Sequence, residues 1–365
     1  MQTPSTILAA ALLLPGLTPA QADTPPEQTT LSVKYLSYQE RQSNLERIHV
    51  RAPSLSLEAP IVGKWSLAGS LTADDVSGAS PRYHTAVSGA SRMSDERKAG
   101  DVALTRYFER GSVTVGAAYS TEHDYDSRAV SLSGTHSSDD NNTTWSLGAG
   151  VSNDDINPVN HIVQDESRHS VNLLAGVSQV LGPNDIAQLT VSATHGTGYF
   201  SDPYKLFDQR PRQRNQATLL ARWNHHHSAL GGTSRLSYRY YGDTYGIRAH
   251  TASAEYVQGF ENGWSVTPSA RVYSQRAARF YVDPTGAFPA PPDAGAFWSA
   301  DQRLAGFGAL TLGVKVAKQL DPHWLVDFKV EGYQQRGSWR LFSQGSPGLD
   351  NTRAVMIQLG ARRQW

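Results

Sequence analysis

Cysteine is absent from all 365 residues, which excludes disulfides, thiolate metal sites and cysteine nucleophiles. Hydrophobic residues make up only 39% of the chain and its mean hydropathy is −0.44. Beyond the first 20 residues, no apolar run approaches the roughly 18 that a spanning helix needs. A helical membrane protein is thereby excluded. An excess of one charge is missing too: Lys+Arg and Asp+Glu stand at 33 each, which gives no reason to expect nucleic acid. Also missing are the G-x-S-x-G elbow, H-E-x-x-H and the P-loop. Serine, histidine and aspartate are plentiful, so composition leaves open a triad assembled between strands. His84, His123 and Asp124 would be its loop candidates.

What is present begins with an address. Ile7 to Leu14 is an apolar run, Pro15 and Gly16 break it, and Ala20-Gln21-Ala22 has the small-x-small form of a cleavage site. A signal peptide over 1–22, cleaved after Ala22, is expected, leaving 23–365 as a single domain. One feature departs from the pattern: Met1 to Thr6 carries no Lys or Arg. Either the start lies a few residues late or the terminal amine serves alone.

From Thr29 onward the hydrophobic period is two. Trp145, Leu147, Ala149 and Val151 alternate with Ser146, Gly148 and Gly150; Leu310, Leu312, Val314 and Val316 do the same further on. Alternation sustained over about ten residues makes one face apolar and the other polar or small, and it exceeds the usual length of a soluble strand. Such a chain looks soluble in mean hydropathy because half of each strand faces water. The expectation is an all-β fold, an antiparallel up-and-down transmembrane β-barrel of about sixteen strands, fourteen being the alternative. The strands should begin near 29, 47, 64, 101, 112, 126, 143, 168, 185, 215, 233, 246, 263, 303, 323 and 353. Connections after even strands are short and rich in turn residues, as in Leu230-Gly231-Gly232 and Glu261-Asn262-Gly263. The long ones, Asp74–Gly100, Asp154–Glu166, His195–Arg214, Gln275–Gln302 and Arg336–Thr352, all follow odd strands. Short turns on one rim and long loops on the other is the arrangement of a bacterial outer-membrane barrel, with both termini in the periplasm.

Six of the eight tryptophans, Trp65, Trp145, Trp223, Trp264, Trp324 and Trp365, fall at strand ends beside the short-turn rim. That crowding reads as an aromatic girdle, since indole prefers the headgroup level. The last strand alternates Val355, Ile357, Leu359 and Ala361 and stops on Trp365, the form of signal that the barrel assembly machinery reads. Arg363 stands where an apolar residue is usual, though at a rim it can snorkel.

Several segments carry a family resemblance: Asp74-Asp75-Val76-Ser77-Gly78-Ala79-Ser80-Pro81, Ser88-Gly89-Ala90-Ser91, Phe200-Ser201-Asp202-Pro203-Tyr204-Lys205 and Arg210-Pro211-Arg212-Gln213-Arg214. Ser237 to Asp243, Tyr273 to Tyr281 and Ser299-Ala300-Asp301-Gln302-Arg303-Leu304 belong with them. Together they resemble a bacterial family of exported outer-membrane barrels known only as a domain of unknown function. The resemblance implies the fold and no established activity. It also implies association with a small lipoprotein, a thioredoxin-like protein and a flavin-attaching transferase, hence a lipoprotein or redox partner in the envelope.

On the face opposite the apolar stripe fall Arg222, Arg235, Arg239, Arg271, Lys315, Lys329 and Arg362, against Glu255, Asp327 and Glu331. In a lumen wide enough for water these tune ion flow, or they pair with one another and with inserted loops. His225-His226-His227 is a poor metal site, because consecutive strand residues point to opposite faces. Asp139-Asp140-Asn141-Asn142 and Asp154-Asp155 lack the ligand spacing of a calcium loop, and turn chemistry explains them better. No metal and no cofactor is expected. The loop over 195–214 mixes Tyr199, Phe200, Tyr204 and Phe207 with Lys205, Arg210, Arg212 and Arg214, suited to an anionic sugar or to an inward fold that narrows the mouth. Three functions remain: a passive pore with a basic lumen, a plugged barrel scaffolding an envelope partner, and an outer-membrane hydrolase.

Overall fold

A computed structural model describes residues 24–43, 45–79, 92–205, 207–284, 293 and 295–365. The expected signal peptide therefore lies outside the described residues, as does His84. The strands are β1 (Thr30–Gln42), β2 (Leu45–Ile61), β3 (Trp65–Ala79), β4 (Arg92–Phe108), β5 (Gly111–Thr121), β6 (Tyr125–Ser137), β7 (Thr143–Ile156) and β8 (Glu166–Gly182). There follow β9 (Asp185–Gly198), β10 (Gln213–His227), β11 (Gly232–Asp243), β12 (Arg248–Gly259), β13 (Trp264–Gln275), β14 (Phe307–Gln319), β15 (Trp324–Arg336) and β16 (Thr352–Gln364). Each pairs antiparallel with its neighbours in sequence, and β1 pairs with β16, so the sheet closes as a meander of sixteen strands. Closure leaves no sheet edge unpaired, which is what a strand structure needs in hydrocarbon.

Alternation sets the two faces. Leu132, Leu147, Leu173 and Leu312 are each more than half exposed although they sit mid-strand. Their partners in register are equally apolar: Leu132 faces Ala149, Leu147 faces Ala175, and Leu312 faces Ala270. Residues of the other phase, polar or small, turn to the inside. The apolar face thus forms a continuous lipid-exposed band, and the membrane takes the place that a core holds in a soluble protein.

Turn chemistry closes the short rim. Asn262 (φ 60°) and Gly263 (φ 75°) both take left-handed backbone, the requirement of a tight hairpin, and a Cβ on Gly263 would come within 2.8 Å of the Gln319 carbonyl. Strand starts lie within two residues of the sequence expectation except at two boundaries. The arm between β3 and β4 is paired further than Asp74–Gly100 suggested, since β4 begins at Arg92, because Asp74 and Arg97 bond across the strands instead of opening into a loop. Strand β14 begins at Phe307, not 303, because Asp301 caps a 3-10 turn over Gln302–Leu304 by accepting from the Arg303 N–H.

Candidate functional site

The inner face divides around its circumference. From β5 to β9 it is built of small hydroxyl, amide and glycine residues, tied to β4 by Thr105–Thr114 (2.8 Å) and laced across strands by Ser112–Thr135 (2.8 Å) and Thr194 to Asn172 (2.7 Å). From β10 round to β1 it carries the long basic side chains. Arg222 lies opposite Ser237 and donates to Gln188 at 3.3 Å. Arg235 lies opposite Asn224 and Glu255, Arg239 opposite Leu220 and Thr251, and Arg271 opposite Ser253 and Thr311. These last three are exposed. None of them makes an ion pair among the described residues, and Arg271 bonds only the Ser253 hydroxyl, at 3.2 Å. Lys315 and Lys329 face each other across β14 and β15, and Lys329 pairs with Glu331 at 3.0 Å. Arg362 faces Ser32 and Leu325. Lys34, exposed and in phase with this set on β1, was missed in the sequence; its place between Val33 and Tyr35 is the signal that could have found it.

Toward the long-loop end the inner face changes character. Arg97 meets Asp74 (2.7 Å), Arg168 meets Asp154 (2.8 Å) and Arg214 meets Asp243 (2.6 Å). Most of these groups are buried, and hydroxyls of Ser127 and Tyr241 fill further acceptor positions on Asp154 and Asp243. Above this collar the loops fold together. An antiparallel bridge joins Gln209 to Trp298, so the β9–β10 and β13–β14 loops share backbone bonds. Asp301, fully buried, takes Arg210 at 2.8 Å and Arg303 at 2.5 Å; Arg303 also reaches Asp202 at 2.8 Å, and Arg210 reaches Asp208 at 2.6 Å. Burial alone would raise Asp301, but the charges of Arg303, Lys205 and Arg210 overcome it and hold its carboxyl well below the usual range. At Asp208 burial wins, and its pKa is raised despite Arg210. Phe200, Tyr245, Ile247, Ala278 and Leu304 make an apolar core beneath this network. Gln302 touches Gln42 (2.7 Å), and Gln275 holds the carbonyls of Arg303 (2.9 Å) and Ala305 (2.6 Å). The β13–β14 loop is therefore pinned against the inner wall.

The tryptophans divide by place. Trp145, Trp223, Trp264, Trp324 and Trp365 are exposed and Trp65 is half-buried, all at strand ends on the short-turn side and on the apolar face. Trp298 is buried in the cap and Trp339 lies in the β15–β16 loop. His225 donates from Nδ1 to the Asp185 carboxylate at 2.8 Å and lies edge-on to His227, while His226 bonds Thr233 on the other face. His227 also lies 2.7 Å from the Ser234 hydroxyl, but no acid bonds it among the described residues. Asp140 is engaged by Ser138 and Asn142 within its own turn. Among the described residues no group of three His, Cys, Asp or Glu could hold a metal ion.

The model for proteins of unknown function DUF3570 matches residues 83–353, from before β4 to the start of β16. The chain belongs to this family. The match leaves out Asp74 to Pro81, while the segments of the cap and of β11 and β13 fall inside it. No curated protein matches the chain in sequence. In shape this DUF3570 barrel is similar to a bacterial polysaccharide outer membrane secretin, with TM-score 0.52, 11% identity, and 94% of this chain and 99% of that one covered. It is similar to CdiB from Acinetobacter baumannii (TM-score 0.50, 10% identity, 90% of this chain and 60% of that). It also matches the siderophore receptor PirA from Pseudomonas aeruginosa (TM-score 0.49, 10% identity, 92% and 62%). The chain thus spans 60% and 62% of the last two. At these identities the likeness shows the fold alone.

Proposed function

We propose that this barrel spans the bacterial outer membrane, short turns toward the periplasm, as a passage that favours anions. The observation that carries the reading is the wall of Arg235, Arg239 and Arg271: three exposed guanidiniums on β11 and β13 with no carboxylate in ion-pair range among the described residues. A plug would be expected to neutralise them. Instead the loop acids Asp202 and Asp208 pair with the loop's own Arg303 and Arg210. Unpaired positive charge along a water-filled wall raises the local concentration of anions. In planar bilayers under a potassium chloride gradient, the refolded protein should conduct with a reversal potential on the chloride side. An electrically silent barrel, or one selective for potassium, would sink this reading.

The cap supports a second reading. Loops this firmly joined suit a closed barrel that serves as a scaffold for a lipoprotein or electron-carrier partner. Silence in the bilayer together with stable capture of such a partner would favour it.

A further inference from the structure

The outer face holds a feature that conduction does not use. Three times at the short-turn rim a tryptophan opening an odd strand stands directly across from a cation closing the next strand: Trp65 from Arg106, Trp264 from Lys318, and Trp324 from Arg363. In each the cation lies over the indole, at 5.1, 5.1 and 5.5 Å from the ring centre. Arg363 is held by a second ring as well, 5.4 Å from that of Trp365. Two residues further into the barrel on the same face the pairs are Leu67–Leu104, Val266–Val316 and Val326–Ala361, so each cation caps an apolar stripe.

The three differ in how their N–H groups are answered. Lys318 donates to the Asn262 carbonyl of its own turn. Arg106 and Arg363 have no hydrogen-bond acceptor among the described residues. A guanidinium presents five donors in a planar fork that fits a phosphate, and at the edge of hydrocarbon it needs an anion more than it does in water. The indole face offsets part of that charge and fixes the fork's direction, leaving the N–H groups for a ligand at headgroup depth.

We infer that Arg363, between Trp324 and Trp365, and Arg106, over Trp65, each bind the phosphodiester of an anionic phospholipid. The acyl chains of that lipid lie along the apolar stripe below. A free phosphate would gain nothing from Leu67, Leu104 or Val326, whereas a lipid gains from both parts of the site. The arginine that departs from the pattern of a terminal strand is thus a recognition residue, and it sits next to the seam where β16 closes on β1.

The full chain, refolded into detergent micelles and titrated with dioleoyl-phosphatidylglycerol, provides the test by native mass spectrometry. The heat-modifiable mobility of a folded barrel serves as the check on each variant. The wild type should retain two lipids at low lipid-to-protein ratios; Arg363→Gln and Arg106→Gln should each weaken one of the two sites about tenfold, the loss expected for a charge-assisted pair, and the double variant should weaken both. Trp324→Leu, which keeps the cation and removes its shelf, should weaken it severalfold. Arg353→Gln, an exposed arginine at the other end of β16, should leave it unchanged. Should Arg363→Gln fail to refold, Arg106→Gln and Trp65→Leu repeat the test on a distant part of the barrel. Retention equal to wild type in both arginine variants, an equal loss in Arg353→Gln, or displacement of the lipid by millimolar inorganic phosphate would each overturn the inference.

Discussion

Two belts of arginine line the same inner face and are treated in opposite ways. In the collar below the long loops, Arg97, Arg168 and Arg214 each meet an aspartate and lose most of their contact with water. Further down the wall, Arg235, Arg239 and Arg271 keep their water and meet no acid among the described residues. A buried charge survives only when paired and hydrogen-bonded, so the collar charges are structural: they fix which strands and loops meet. An exposed charge contributes little to stability and projects its field into the solvent it touches. The difference separates residues that build the mouth from residues that would set what passes it, and each belt predicts a different kind of loss.

The largest effect should come from the centre of the cap. Asp301→Asn leaves the buried Arg210 and the partly exposed Arg303 around a neutral amide, and breaking a buried pair such as Arg210–Asp301 costs roughly 3–5 kcal/mol. That cost falls on the loops, not on the strands. The expected readout is fast tryptic cleavage within 199–212 and 276–306 while the barrel keeps its folded mobility on gels. An equally protected cap would show that the network is ornamental. Asp208→Asn should be much milder, since burial already disfavours its charged form.

Acid should act on the same network with a definite sign. Asp301 has a depressed pKa. Its contribution is present above the ordinary carboxylate value of roughly 4 and is lost as pH falls through the folded value. Asp208 is raised, so it works in the other direction and gains as pH falls. Asp301 is the acid that both Arg210 and Arg303 meet, so its loss decides the sign. Peptic cleavage of the cap should accelerate as pH drops below about 4, and Asp301→Asn should flatten that dependence.

On the lipid face a single charge should cost nearly as much as it does in the cap. Leu312→Arg places a guanidinium against hydrocarbon, at roughly 2–4 kcal/mol if near the midplane. A lower urea midpoint for refolding into vesicles is the measurement. Arginine at the inward Thr251, which faces the wet wall opposite Arg239, should cost far less. Neighbouring Thr311 shares the inward phase but is only 8% exposed, so phase alone does not say which inner positions have room.

That last contrast shows how far the sequence could be read. Strand number, faces and rims were legible because each residue's phase is local: Leu147 and Leu312 announce their side from their own neighbours. The collar was only half legible. Asp74 and Asp154 looked like loop or turn residues, because their partners Arg97 and Arg168 lie 23 and 14 positions away and only the register joins them. The cap was legible as a resemblance and not as chemistry. Asp202, Arg210, Asp301 and Arg303 sit in segments that carry the family likeness, yet their meeting joins partners 91 and 101 positions apart in two different loops. Lys34 was missed for a simpler reason, that β1 is a long way in sequence from the basic strands it joins when the barrel closes.

The smallest effect on stability should be the most telling for function. Arg239→Ala with Arg271→Ala removes two exposed guanidiniums from adjacent parts of the wall and should change unfolding by no more than about 0.5 kcal/mol, as for other exposed sites. If the wall sets selectivity, the chloride reversal potential should shrink in the double variant, and more so at 10 mM than at 1 M salt, where the Debye length falls from roughly 30 Å to 3 Å. Neutralising the collar gives the control. Replacing both Arg168 and Asp154 by neutral residues removes a pair with no net charge and should leave the reversal potential where it was, whatever it does to the cap. A double variant of the wall that keeps full selectivity while the collar variant loses it would reverse the roles of the two belts, making the mouth the filter and the wall a passive lining.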